Sequence, residues 1–288
     1  MGSNGVATRA RAPVNITEHG GVDFELLLLT EAVGLRSLHY GYWDEPPTHD
    51  ELSFALLREA QARFTERLLA MIPADVKSVL DVGSGVGDNS AAMLRRGLEV
   101  TALSPDKNHG KFYEHLEAEG VEFHNVRFED FPFGRSYDLV LMSESQNYFD
   151  QTLGFEHAKR HLVPGGRLLV AGMFRRRDSK EFAAVQCIDK PYIEAAARHG
   201  FELKRSVDVT ENVMGTIRMA ERYLKPVIRV AQTYFDTGFF LKRWVASFLI
   251  AKRAMSPKKL CEYYAQWISP DFYRAHVKYQ WLLFERGA

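Results

Sequence analysis

The sequence predicts an α/β fold, a parallel sheet with helices on both faces, interrupted late in the chain by a helical insertion. Three observations carry this. From about residue 75, short apolar runs alternate with amphipathic stretches in a strand–turn–helix rhythm. The first of those runs opens into a glycine-rich loop, Gly83-Ser84-Gly85-Val86-Gly87. Finally, about 60 residues ahead of the last apolar run show helical periodicity without a strand pattern, too long for an ordinary loop.

Taken in order, residues 1–20 are polar and read as a flexible lead-in. Helical periodicity appears at Phe24 to Leu29, and the aromatic segment Leu38-His39-Tyr40-Gly41-Tyr42-Trp43 follows. A long helix is expected over about 49–71, with Leu52, Leu56, Phe64, Leu68 and Met71 near 3.6 spacing, ended by Pro73. Strands are expected at Ser78–Val82, Glu99–Leu103, Val121–Val126, Tyr137–Met142 and Arg167–Met173. Helices are expected over 88–96, 107–119, 155–161 and 190–199, with a further strand at Glu202–Val209. Residues 212–275 read as a helical lid, and Val277–Phe284 as the closing strand. The organisation is therefore an N-terminal helical cap over 21–74, a core over 75–211, the lid, and a last strand within 276–288.

Composition narrows the partners. The 288 residues carry 37 Lys+Arg against 37 Asp+Glu, which excludes a uniformly basic nucleic-acid binder. At 46% apolar and 26% charged, the chain is ordinary globular protein. Cys187 and Cys261 stand alone, with neither disulfide nor metal spacing, and a cytoplasmic location is expected. No apolar run reaches the roughly 20 residues of a membrane span. His157 and His161 share a helix face, but no third ligand accompanies them, so no metal is expected.

The glycine loop is the strongest local signal. Glycines at a strand's mouth permit a tight turn and let a ligand press on bare backbone at the start of a helix. The dinucleotide pattern needs a third glycine at position 88, which is Asp88, and a carboxylate there would repel a pyrophosphate. The loop therefore suits a ligand with a ribose but no phosphate at that point.

Here Asp81-x-Gly83-x-Gly85-x-Gly87 resembles motif I of the class I S-adenosylmethionine (SAM)-dependent methyltransferases. Four further stretches fall in that family's order: Val100–Asp106, Phe128–Phe133, Tyr137–Val140 and Leu162–Leu168. The resemblance covers about residues 75–175. It implies a Rossmann-like seven-stranded sheet with the last strand antiparallel, and SAM as cofactor. It also implies that Asp81, Gly83, Gly85 and Gly87 shape the methionine end of the pocket. Ser143, Glu144 and Ser145 would lie beside the methionine moiety and the acceptor, and Phe128 and Glu129 would face the adenine. The family's acidic ribose reader is replaced by Ser104, with Asp106 two residues on; a related subgroup also has a hydroxyl here, which points to Ser104 with His109 nearby.

The segment at 38–43 is similar to one that closes over SAM and acceptor in natural-product, tocopherol and sterol methyltransferases. Aromatic faces suit a sulfonium cation. Tyr40 and Tyr42 are therefore cofactor-binding candidates, with only one expected to reach the site. Methyl transfer needs alignment, exclusion of water and, for some acceptors, a base. His39 and Glu144 are the first candidates for that base, ahead of His276.

Between Gly215 and Leu260 the lid holds ten basic residues and two acidic ones, a net +8. Together with Arg175-Arg176-Arg177 this suggests either an anionic acceptor or a peripheral membrane contact. The expected function is methyl transfer to a hydrophobic small molecule of the secondary-metabolite or lipid kind, at carbon, nitrogen or oxygen. The alternatives are a non-catalytic SAM-binding protein and, further off, an RNA methyltransferase. No nucleic-acid partner is expected, and the sequence does not decide between monomer and homodimer.

Overall fold

The computed structural model describes residues 51–236 and 267–287, and ahead of them 18–19, 22–23, 26, 28–45 and 47–48. Seven strands form one sheet: β1 Ser78–Val82, β2 Glu99–Leu103, β3 Glu122–His124, β4 Tyr137–Ser143, β5 Leu162–Arg175, β6 Phe201–Asp208 and β7 Val277–Arg286. Their spatial order is β3-β2-β1-β4-β5-β7-β6. The first five run parallel, and β7 is antiparallel to both β5 and β6. The expected seven-stranded sheet with an antiparallel last strand is present.

Alternation along each central strand divides the core in two. Val79, Leu139, Leu141, Leu169, Ala171, Tyr279 and Trp281 face one side, with Phe64, Met93 and Tyr113. Leu80, Val140, Met142, Leu168, Val170, Leu282 and Phe284 face the other, with Phe155 and Tyr192. Both faces are covered, which is why these strands read as continuous apolar runs rather than as alternating ones.

Helices α1 Phe54–Leu69, α2 Asp88–Arg95, α3 Gly110–Glu119, α4 Gln151–His161 and α5 Asp189–Arg198 follow the expected rhythm. Their ends are set by local chemistry. α1 starts after Ser53, whose Oγ accepts from the Leu56 N–H at 3.3 Å, so the helix is shorter than the apolar spacing over 49–71 suggested. At the N-terminus Glu18–His19 pairs antiparallel with Val22–Asp23, Leu26 is helical and Leu28–Ala32 forms a π-type turn, while Phe24, Glu25 and Leu27 of the expected periodicity lie outside the described residues.

The lid region begins as α6, Thr210–Asp236, a 27-residue helix that contains Pro226; α7, Pro270–His276, precedes the closing strand. Residues 1–17 and 237–266 lie outside the described residues, and with them Lys242, Arg243, Lys252, Arg253, Lys258 and Lys259 of the basic stretch. A third apolar cluster joins the N-terminal segment to α1 and α6: Leu35, Trp43, Leu52, Leu57, Ala60 and Met219. Trp43 and Asn212 exchange two hydrogen bonds, Trp43 N to Asn212 O at 2.8 Å and Asn212 Nδ2 to Trp43 O at 3.0 Å.

The Trp43 ring lies flat on α6 because residue 215 is glycine. A Cβ there would come within 2.5 Å of the indole. Gly215→Ala is therefore expected to destabilise the chain by about 1–3 kcal/mol in urea unfolding, with red-shifted Trp emission. An unchanged urea midpoint would show that the indole is not seated against that helix.

Candidate active site

The site is built at the carboxyl ends of β1, β2 and β4, under the segment 37–43. Gly83, Gly85 and Gly87 all take positive φ, at 71°, 57° and 86°. Gly83 cannot be replaced, since a Cβ would stand 2.5 Å from the Ser145 Cβ. At Gly85 the space is open, with only Leu38 Cδ1 at 4.0 Å, so this stretch of backbone is bare towards the pocket. Asp81 is 1% exposed and accepts from Ser90 Oγ at 2.7 Å; burial pushes its carboxyl up to about 7. Around the loop, the buried oxygens Ser143 Oγ, Ser145 Oγ and Asn89 Oδ1 have no partner in the described structure. Two donors and an acceptor left over beside bare glycine backbone suit a ligand that carries both a carboxylate and an ammonium group.

At the end of β2, Ser104 Oγ and His109 Nδ1 are 2.7 Å apart. Asp106 is not presented in the same way: its Oδ1 accepts from both Asn108 N and Asn108 Nδ2 at 2.8 Å and caps the short turn Lys107–His109. Phe128 is 4% exposed, with its ring against Phe149, His157 and His161 inside the second core cluster. Glu129 beside it is half-buried.

The aromatic segment lies across this edge. Tyr40 and Tyr42 fall on the same side and meet β7 two residues apart. Tyr40 packs on Tyr279 at 5.3 Å between ring centroids, and Tyr42 on Trp281 at 5.7 Å. The Tyr40 hydroxyl lies 3.6 Å from Met173 Sδ and its ring 6.4 Å from Tyr273. The Tyr273 hydroxyl is buried without a partner in the described structure.

Glu144 follows β4 with φ 62°, left-handed backbone that a side chain rarely adopts. Its N–H bonds Ala171 O at 2.7 Å, which holds the turn. Its Oε1 accepts from Tyr279 OH at 2.5 Å and from Tyr40 N at 3.4 Å. Burial raises this carboxyl above the usual carboxylate range, against the opposing pull of the His39 charge and the Tyr279 hydrogen bond. A strained backbone carrying a carboxyl with raised proton affinity is a pattern found where chemistry is done.

His39 is turned away from that chemistry. Its Nδ1 lies 2.7 Å from Tyr40 O and its Nε2 lies 2.6 Å from Asp88 Oδ2, with its ring stacked at 4.4 Å on Phe64. A peptide carbonyl and an ionised carboxylate only accept, so both ring nitrogens must carry protons. Burial, the largest single influence, opposes this charge. Asp88's charge and hydrogen bond, the charge of Glu144 and the Tyr40 carbonyl outweigh it and raise the imidazole to about 9. Asp88 is in turn held below its usual range: burial pushes it up, and His39, Ser37 and Thr65 bring it down further. An imidazolium with both N–H groups engaged has no lone pair, so it cannot serve as the base expected of it.

Four of the basic residues considered for an anionic acceptor are engaged within the chain. Arg175 reaches Ser179 O at 2.6 Å, and Arg176 reaches Arg274 O at 2.8 Å. Arg218 and Arg222 point to Pro47 O and Leu52 O, each at 3.4 Å, and so fasten the N-terminal segment to α6. The His276 ring lies tilted against Phe272, 4.4 Å between centroids. Sequence reasoning missed Asp88, Tyr273 and Tyr279. Only Asp88 left a trace, as the residue standing where a third glycine would be.

Comparison with known proteins gives this site a family. Residues 80–170 match the family described as a methyltransferase domain. Methyltransferase GfsG of Streptomyces halstedii is 31% identical over 51% of this chain and 55% of its own. The 27-O-demethylrifamycin SV methyltransferase of Amycolatopsis mediterranei is 29% identical over 46% of this chain and 50% of its own. These two matches thus span about half the length of the relatives. The O-methyltransferase cnsE of Penicillium expansum is 25% identical over 67% of this chain and 75% of its own.

Among solved structures, the [4+2]-cyclase SpnF matches with TM-score 0.69 at 18% identity, over 97% of this chain and 98% of its own. Geranyl diphosphate C-methyltransferase from Streptomyces coelicolor, solved with S-adenosyl-L-homocysteine, matches with TM-score 0.63 at 17% identity, over 90% and 91%. At those identities the structures establish the fold alone. Residues 80–170 thus carry a methyltransferase domain, and the matches together support a class I SAM-dependent methyltransferase of the small-molecule branch, a family whose cofactor is SAM.

The His39–Asp88 pair has a direct readout. Nitrogen NMR at pH 7 should show both His39 ring nitrogens protonated. Because the folded imidazole lies above its ordinary 6.5, the stability from this pair is complete below pH 6.5 and is lost as pH rises through about 9. A His39 resonance titrating near 6.5 would refute the doubly donating arrangement.

Proposed function

We propose that this protein transfers the methyl group of SAM to a hydroxyl oxygen of a largely apolar small molecule, with Glu144 as general base. The observation that carries this reading is the Glu144 carboxyl. It stands at the mouth of the sheet on strained backbone, its Oε1 bound to Tyr279 and its proton affinity raised by burial. No described hydrogen bond uses its second oxygen, and His39 has no nitrogen left for the task. The surroundings favour an apolar acceptor: Tyr40, Met173, Tyr273 and Tyr279 crowd together here, and Arg175, Arg176, Arg218 and Arg222 are engaged by the chain's own carbonyls. Curated relatives named as O-methyltransferases, and one named for a 27-O-demethyl substrate, agree with an oxygen acceptor.

Bound SAM supplies a methyl group already activated on a sulfonium. Asp81 and the bare backbone of Gly85 would hold its methionine end, with Ser143 and Asn89 in reach. Ser104 with His109 would hold the ribose, and Glu129 would stand at the adenine side. Glu144 accepts the acceptor's proton as the new O–CH3 bond forms and the S–CH3 bond breaks. The Tyr40 and Tyr279 rings exclude water and present π faces to the cationic region, an effect of about 0.5–2 kcal/mol.

Titration calorimetry with S-adenosylhomocysteine tests the cofactor, and a labelled transfer assay on hydroxylated apolar metabolites tests the reaction. Glu144→Gln should lower kcat by about 10²–10⁴ while product affinity stays within a few-fold. The ascending limb of the wild-type pH profile should lie above the ordinary carboxylate value of 4.5, because activity is lost as pH falls through the raised pKa. Ser104→Ala should weaken product binding about 5–10-fold, the worth of one hydrogen bond. Binding without transfer to any acceptor would favour a non-catalytic SAM-binding protein, and absence of binding would overturn the reading.

A further inference from the structure

Asp88 occupies the place where a phosphate-cradling loop would have its third glycine, and its carboxylate faces the segment that covers the loop. Its Oδ2 receives Ser37 Oγ at 2.7 Å, His39 Nε2 at 2.6 Å and Thr65 Oγ1 at 3.3 Å. It sits in the first turn of α2, where the helix dipole also favours an anion. His39 passes the restraint on through Nδ1 to the Tyr40 carbonyl, and the N–H of the same residue reaches Glu144.

The rest of the segment is stitched to two other helices. From α1, Gln61 Nε2 donates to Ser37 O at 3.0 Å and to His39 O at 2.8 Å, and Ala60 O accepts from Tyr42 N at 2.8 Å. From α6, Thr216 Oγ1 accepts from Gly41 N at 2.9 Å. Between these stitches Leu38 overhangs Gly85, so residues 37–43 form a strap across the bare glycine backbone. Of these bonds, only those to Asp88 tie the strap to the loop-and-helix unit beneath it.

We propose that Asp88, acting through His39, is a positioning residue that clamps the strap 37–43 over the glycine loop and thereby sets how long the cofactor stays bound. The clamp rests on geometry; its effect on residence rests on the SAM-binding reading above. The charged and titratable groups facing His39 are Asp88 from α2, Glu144 after β4 with Tyr279 of β7 on it, and Asp81 of β1 behind Asp88. From α1 its ring meets the Phe64 ring and the Thr65 hydroxyl, neither of them charged. Acids therefore surround a single imidazolium, and its loss of a proton as pH rises through about 9 removes the cation that holds the strap.

The test uses the full chain. Amide hydrogen exchange reports the strap through the bonded N–H groups of Gly41, Tyr42 and Trp43. Stopped-flow fluorescence reports dissociation of S-adenosylhomocysteine. In Asp88→Asn, strap amides should exchange at least about tenfold faster while β4 amides stay protected, and product dissociation should accelerate by a similar factor. The double variant D88N/H39Q, which restores a neutral hydrogen-bonded pair, should recover part of both effects. Should Asp88→Asn fail to fold, the wild type across pH 9 gives the same reading, after correction for the intrinsic base catalysis of exchange. Strap protection unchanged in the variant, or unchanged through pH 9 in the wild type, would overturn the clamp. A loosened strap with unchanged product dissociation would overturn its control of residence. A wild type that binds no product removes the function proposed above together with that control, while the exchange data still decide the clamp.

Discussion

Three carboxyl groups, Asp81, Asp88 and Glu144, are gathered at the carboxyl edge of the sheet with little water, and one imidazolium serves two of them. Burying an acid without a partner costs several kcal/mol, so the three cannot all be charged and isolated. The structure meets this constraint in three different ways. Asp81 keeps a Ser90 hydrogen bond and an elevated proton affinity. Asp88 stays ionised against His39. Glu144, further from the cation and bound to a phenol, is left with its proton affinity raised. Position relative to His39 separates their chemistry, although all three are ordinary carboxylic acids.

That arrangement depends on chain segments far apart in sequence. Parallel strands put the glycine loop, the Ser104 turn and Glu144 on one edge, as connections in such a sheet require. β7 then enters antiparallel between β5 and β6, with Tyr279 opposite Met173 and Trp281 opposite Ala171. Its aromatic residues thus face the N-terminal strap, and Tyr40 and Tyr42 dock on them. The strap is a structural element in its own right, because its carbonyls and N–H groups are satisfied by Gln61, Ala60, Asn212 and Thr216.

Much of the fold was legible in the sequence. The central strands matched their apolar runs because both faces of the sheet are buried there, although β5 begins at Leu162, ahead of the run read from Arg167. The loop glycines were legible because a tight turn at a strand mouth leaves few alternatives. Helix ends were read less well, since α1 begins at a serine cap rather than where its apolar spacing begins. The site was read unevenly. Ser104 and His109 do lie together, at a spacing of five residues that a single turn can close. His39 was read as a base because histidine beside an aromatic motif suggests proton transfer. Its real neighbours, 49 and 26 residues away, could not be seen. Asp88 was read as an obstacle to phosphate, when its carboxylate serves a contact across the fold. The basic residues of α6 looked like an anion site, yet Arg218 and Arg222 bind the chain's own carbonyls.

By itself, then, the sequence determined the α/β class, the order of the elements, the glycine loop and the methyltransferase domain they resemble. Those properties follow from local rules, hydrophobic period and backbone freedom, which act within a few residues. The tertiary structure alone decided which acid is paired, which has its proton affinity raised, and which aromatic residues gather beside it. Those properties depend on burial and on charges a few ångströms away, and such distances exist only after strands and strap from opposite ends of the chain have met.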